Sequence, residues 1–123
     1  MIFLDYQDSR PIYEQIVEQY KHLILAGIME TDEQMPSVRS LAMELSTNPN
    51  TIQKAFSELE RQGFIYSVKG RGNFVKQNDS LRKAHRTELV ARMGMLRTEA
   101  RDLGFDADAL WREASENGKE ADA

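Results

Sequence analysis

Residues 36–75 read PSVRSLAMELSTNPNTIQKAFSELERQGFIYSVKGRGNFV. Pro36-Ser37 opens a first amphipathic segment, in which Val38, Leu41, Ala42 and Leu45 form one apolar stripe and Arg39 falls off it. Ser46-Thr47 makes a polar turn. Asn48-Pro49 then supplies a capping acceptor followed by a proline at the first helical position, where its missing N–H costs nothing. Ile52, Ala55, Phe56 and Leu59 recur at i, i+3, i+4 and i+7, which predicts a second helix with one buried face. Gly63 ends that helix. Phe64–Val75 reads as a hairpin tipped by Lys69-Gly70-Arg71-Gly72, whose two glycines permit a tight turn that pushes a cation outward. Helix, turn, helix and wing in that order present one helix to a DNA major groove with a ribbon beside it.

The polar face of the second helix carries Asn50, Gln53, Lys54 and Ser57, with Thr51 at its edge. No carboxylate interrupts its first turns. The acids are held back to Glu58 and Glu60, so the N-terminal end stays compatible with phosphate, as the helix dipole also favours. The candidate DNA-contacting set is Ser37, Arg39, Asn48, Asn50, Thr51, Gln53 and Lys54, with Lys69, Gly70, Arg71 and Gly72 at the wing tip. Glutamine suits adenine and lysine suits guanine in the major groove, which assigns Gln53 and Lys54 to base edges. Arg39, Asn50 and Thr51 are assigned to register on the backbone, Asn48 to capping first, and Arg71 to a minor groove or its phosphates.

This wording resembles the GntR family of bacterial transcription regulators. The resemblance rests on Pro36–Ala42, on Asn48–Phe56, on Leu59-Glu60 with Gly63-Phe64-Ile65, and on Gly70–Val75, joined by Pro11–Ile16 nearer the N-terminus. It covers about residues 10–76 and implies a winged helix-turn-helix that binds operator DNA. Two places depart from the family's usual wording. Thr31-Asp32 and Met35 stand where Pro-Gly and the Leu of Leu-Pro-Ser are customary, and Ser46 where the helix-helix turn usually has glycine. Both departures concern loop geometry.

The formal net charge of the 123 residues is −4, but it is unevenly spread: −5 over residues 1–35, +3 over 36–76 and −2 over 77–123. The basic segment coincides with the helix-turn-helix and wing. An acidic chain with one basic patch binds random DNA weakly, which favours sequence-specific recognition over general coating. No run approaches the roughly 20 apolar residues that span a bilayer, and Asp5 interrupts the N-terminal Met1–Leu4, so neither a membrane partner nor a signal peptide is expected. With no cysteine, and with His22 and His85 far apart, neither disulfide nor metal site is expected. There is no nucleophile–base pair, phosphate loop or buried carboxylate pair, so an enzyme is not expected, nor a cofactor. The location expected is the cytoplasm.

Outside the motif, a helix is predicted over about Arg10–Ala26, and Met1–Leu4 is expected to add a short strand. Lys76–Ser80 reads as a linker. A long helix follows over about Ser80–Leu103, in which Leu89, Met93, Leu96, Ala100 and Leu103 are spaced as a heptad seam two heptads long. Gly104 ends it, and Asp106 caps a last short helix with Ala107, Leu110, Trp111 and Ala114 on one stripe. Phe105 and Trp111 are read as core or interface rather than a ligand cage. Residues 117–123 are expected to be disordered. The fold class expected is therefore mainly α with a small hairpin wing: a winged helix-turn-helix over 1–76 and a two-helix dimerisation tail over 77–123. So short a tail is similar to the YtrA-like branch of GntR, whose members dimerise through two C-terminal helices and often control transporter operons. The function expected is a homodimeric regulator, a repressor, on an inverted-repeat operator. The alternative is a winged-helix adaptor that binds protein instead. Operator, target genes, sign of regulation and any small-molecule effector are not encoded in motifs of this kind.

Overall fold

Apolar residues at helical spacing build the first three helices of the computed structural model, which describes residues 2–122, with side-chain surroundings through residue 118. Helix α1 (Ile12–Leu25) buries Ile16, Val17, Tyr20 and Ile24. Helix α2 (Val38–Glu44) buries Leu41 and Ala42, and α3 (Pro49–Arg61) buries Ile52, Ala55, Phe56 and Leu59. These stripes meet in one core, closed by Met29, Met35, Phe64, Ile65 and Val75. The Tyr20 ring meets Phe56 edge-on, with centroids 6.0 Å apart. Burial, and secondarily the charge of Glu44, raises the Tyr20 phenol pKa to about 12.

Local chemistry sets the helix ends. Ser37 Oγ accepts from the Ser40 amide at 3.0 Å, and Asn48 Oδ1 accepts from the Asn50 amide at 2.8 Å. Gln62 is the last capping residue of α3. Gly63, with φ 86°, follows it in the left-handed region, and the Phe64 amide donates back to Leu59. The corner between α2 and α3 is made by Ser46 at φ 50°.

Strands β1 (Ile65–Val68) and β2 (Gly72–Val75) pair antiparallel, with Tyr66 opposite Phe74 and their rings stacked at 5.7 Å. A third edge, absent from the sequence reading, lies along β2. The Asp32 amide donates to Val75 O at 2.7 Å, Val75 N donates to Glu33 O at 2.9 Å, and Met35 N donates to Asn73 O at 2.8 Å. Gln34 forms the bridge to Phe74. The wing is thus held on both sides of β2.

The expected N-terminal strand does not form over residues 2–4, and Met1 lies outside the described residues. Two glutamines one turn apart on α1 do the work of a neighbouring strand. Gln19 Oε1 accepts from Phe3 N while its Nε2 donates to Phe3 O, and Gln15 does the same for Asp5, at 2.9 Å each way. Gln15 is buried and leaves no polar atom unpaired.

Helices α4 (Asp79–Asp102) and α5 (Ala107–Asp122) complete the chain. The compact units are Met1–Arg82 and Lys83–Ala123, so the division falls six residues after the boundary read at 76. The reason is that the first turn of α4 belongs to the winged unit. Leu81 packs against its core, and the Arg82 guanidinium donates to the Leu25 carbonyl at the end of α1. In the second unit Gly104 has φ 80°, Phe105 N donates to Ala100 O at 2.8 Å, and Asp106 Oδ1 accepts from Asp108 N at 2.9 Å. Helix α5 continues to Asp122, well past the point where the sequence reading expects disorder.

Candidate nucleic-acid interface

The outer face of α3 divides into three strips, because successive residues of an α-helix are rotated by about 100°. Asn50 and Ser57 run along its centre. Gln53 lies toward the wing, where Gln53 Nε2 donates to Ser57 Oγ at 3.3 Å and the Ser67 hydroxyl of β1 lies 3.2 Å from Glu60 Oε2. Lys54 lies toward α1, with its ammonium 4.0 Å from the centroid of the Tyr13 ring. Gln53 and Lys54, assigned together to base edges, therefore face opposite flanks of the helix. Asn50 and Ser57 occupy the position between them. Thr51 is half-buried at the edge.

Arg39 is exposed on the first turn of α2 and has no carboxylate partner among the described residues. The same holds for Lys54, Lys69, Arg71 and Lys76. Arg61, the remaining cation of residues 36–76, is different. Its guanidinium grips Glu58, and Gln62 Nε2 also donates to Glu58 Oε1 at 2.7 Å. The Arg61 hydrogen bond, aided by Gln62, lowers the Glu58 pKa to about 2. The Glu58 carboxylate is thus engaged by its own neighbours on α3. Ser37 and Asn48 use their side-chain oxygens as caps, and Ser37 keeps a hydroxyl proton to donate outward.

The wing tip is a built turn. Gly70 has φ 78° and Gly72 φ 118°. A Cβ at Gly72 would lie 3.3 Å from Gln34 Nε2, which donates to the Arg71 carbonyl at 2.9 Å. Gln34 therefore fixes the backbone from which Arg71 projects. Sequence reasoning missed both Gln34 and Tyr13. Gln34 lies in no motif, the Pro11–Ile16 wording that holds Tyr13 gives it no role, and each residue meets its partner only through the fold.

In the second unit, Met93, Leu96, Ala100, Leu103, Phe105 and Trp111 line one apolar groove of about 560 Å³ between α4 and α5. Leu89, assigned to the same seam, stands outside it. Leu96 is 64 % exposed and Trp111 61 %, whereas Ala100 is 6 % exposed. Ala100 is thus the floor of the groove and offers nothing further to a partner, unlike the other seam residues. Among the described residues no cluster of His, Cys, Asp and Glu is suited to a metal, and no helix is long and apolar enough to cross a membrane.

Residues 12–75, from the start of α1 to the end of the wing, match the family described as bacterial regulatory proteins, gntR family. The chain belongs to the GntR family. It is 43 % identical over 107 residues to the HTH-type transcriptional repressor YtrA of Bacillus subtilis (strain 168), covering 87 % of this chain and 78 % of that protein. A GntR family transcriptional regulator from Listeria monocytogenes has the same architecture, with a TM-score of 0.73 and 31 % identity over 92 % of this chain and 98 % of its own. The AraR DNA-binding domain, solved in complex with operator ORE1, aligns with a TM-score of 0.52 and 32 % identity, covering 61 % of this chain and 92 % of that one. As a GntR protein with a winged helix-turn-helix, this chain is a transcription regulator of the YtrA-like branch and not an enzyme.

Proposed function

We propose that this GntR protein is a cytoplasmic repressor that binds an inverted-repeat operator as a homodimer, with a transporter operon as its target. The observation that carries the DNA-reading part is the cation census of residues 36–76. Five basic side chains are free of carboxylates among the described residues, and they flank a helix start that holds no acid. Gln53 and Lys54 take the base edges, and Asn50, assigned to the backbone on sequence alone, joins them because it lies between them on the outer face of α3, with Ser57 beside it. Arg39, Ser37 and the wing residues Lys69 and Arg71 take phosphates or the minor groove. The repressor role is supported by the likeness to YtrA, and operator binding by the AraR domain seen on its operator. The transporter target rests on the resemblance to the short-tailed branch.

The dimer is supported by the tail. Single recognition modules bury only about 600–1,000 Å² on DNA, and a two-fold pair doubles that contact. The exposed apolar residues of α4 and α5 form a patch of the kind that monomeric proteins rarely leave in water. A winged-helix adaptor for protein would need no acid-free helix start. The test is selection from a random-sequence duplex library with the full chain. Enrichment of two inverted half-sites is expected. Enrichment of no sequence would overturn the DNA-reading role, and a lone half-site would overturn the dimeric one.

A further inference from the structure

Lys54 has an acid one turn away within reach of a helical ion pair, since Glu58 is its i+4 neighbour. That pair is not made. Glu58 is gripped by Arg61, whose Nε lies 2.9 Å from Glu58 Oε2, and by Gln62. The Lys54 ammonium instead rests on the face of Tyr13, 4.0 Å from the ring centroid. Tyr13 is half-buried on α1, and its hydroxyl is turned to Glu14 Oε1 at 3.4 Å. The two contacts differ in consequence. An ion pair with Glu58 would cancel the charge of Lys54 and occupy its N–H donors. A ring face orients the ammonium while leaving its charge and its donors available to a third party.

We propose that Tyr13 is a positioning residue for DNA recognition, orienting the Lys54 ammonium at the α1 edge of α3 while Arg61 and Gln62 keep Glu58 away from it. The proposal rests on the DNA-reading role argued above and deepens it, because it extends the recognition surface onto α1. The ligand is the guanine edge at the flank of the major groove that faces α1.

The test uses the full chain and the duplex that the wild-type chain selects from a random library. Tyr13→Phe keeps the ring, and Tyr13→Leu keeps the bulk but not the π-face. Two-dimensional NMR of the free protein should show ring-shifted Lys54 side-chain protons in wild type and Tyr13→Phe, and unshifted ones in Tyr13→Leu. Tyr13→Phe should bind as wild type. Tyr13→Leu should bind roughly threefold to fivefold more weakly, with relaxed preference at the base pair whose readout Lys54→Met also relaxes. In the Lys54→Met background, Tyr13→Leu should cost nothing more. Additive losses would overturn the proposal, as would unshifted Lys54 protons in the wild type or equal loss in Tyr13→Phe and Tyr13→Leu. A wild-type chain that selects no sequence would overturn the functional reading and this proposal with it. Selection followed by additive losses would overturn this proposal alone.

Discussion

Asp32 and Ser46 are the non-glycine residues with positive φ among the described residues, at 68° and 50°. They stand at the two places where the chain departs from the usual GntR wording, so each departure has a measurable backbone cost. The left-handed conformation costs an L-residue roughly 1–2 kcal/mol. Asp32 recovers part of this by accepting from the Tyr66 hydroxyl at 2.8 Å, a bond that also raises the Tyr66 pKa. Ser46 makes no such side-chain bond among the described residues. Ser46→Gly is therefore expected to stabilise the protein by about 0.5–1 kcal/mol, after glycine's extra unfolded-state freedom is discounted. Urea denaturation at unchanged m-value checks this. Asp32→Gly should gain less, because it forfeits the Tyr66 bond. At the same scale, Arg39→Ala should weaken binding to all duplexes alike and lower the salt slope by about one unit. Gln53→Ala should instead relax sequence preference. Competition binding across single-base variants at several salt concentrations separates the two, and an unchanged profile for both would refute the assignment.

At the scale of elements, the wing shows how a hairpin tip acquires a fixed direction. Gln34, on the third edge of the sheet, bonds the Arg71 carbonyl. Arg71→Ala is expected to weaken operator binding by roughly 1–3 kcal/mol, the worth of one good arginine contact, with an unchanged melting temperature. Gln34→Ala should reproduce part of that loss and add little to the Arg71 variant. Binding titrations paired with thermal melts decide it, and full binding by Arg71→Ala would mean an idle tip. The helices and the hairpin were legible because their signals are local: Asn48-Pro49 starts α3, Gly63 follows its last turn, and Ile52, Ala55, Phe56 and Leu59 repeat on one face. The edge at residues 32–35 was not legible. Its partner is some forty residues away, and Asp32-Glu33-Gln34 shows neither alternation nor β-branched residues. Tyr13 escaped for a related reason. In sequence it belongs to α1, and only the packing of α1 on α3 brings it under Lys54. Leu81 and Arg82 read as the start of the tail because helix periodicity does not reveal which unit a first turn packs on. A chain ending at Asn78 should consequently be less stable than one ending at Arg82, by about 1–3 kcal/mol for the lost burial and the lost bond to Leu25. Equal denaturation midpoints would show that this turn adds nothing.

At the scale of the whole molecule, charge and apolar surface are sorted along the chain. The segment 36–76 is basic within an acidic protein, and large exposed apolar side chains gather on α4 and α5. That sorting suits a regulator whose winged unit reads DNA and whose tail pairs two copies. Leu96→Glu places a charge in the α4–α5 groove and should prevent pairing, since burying it would leave it without a partner. Pairing through the tail is tested most directly by sedimentation equilibrium of the full chain at micromolar concentration, alone and with its selected duplex. A dimer alone and two chains per duplex are expected, with Leu96→Glu monomeric and weakly bound. A wild-type monomer that binds the duplex tightly as a single chain would contradict it.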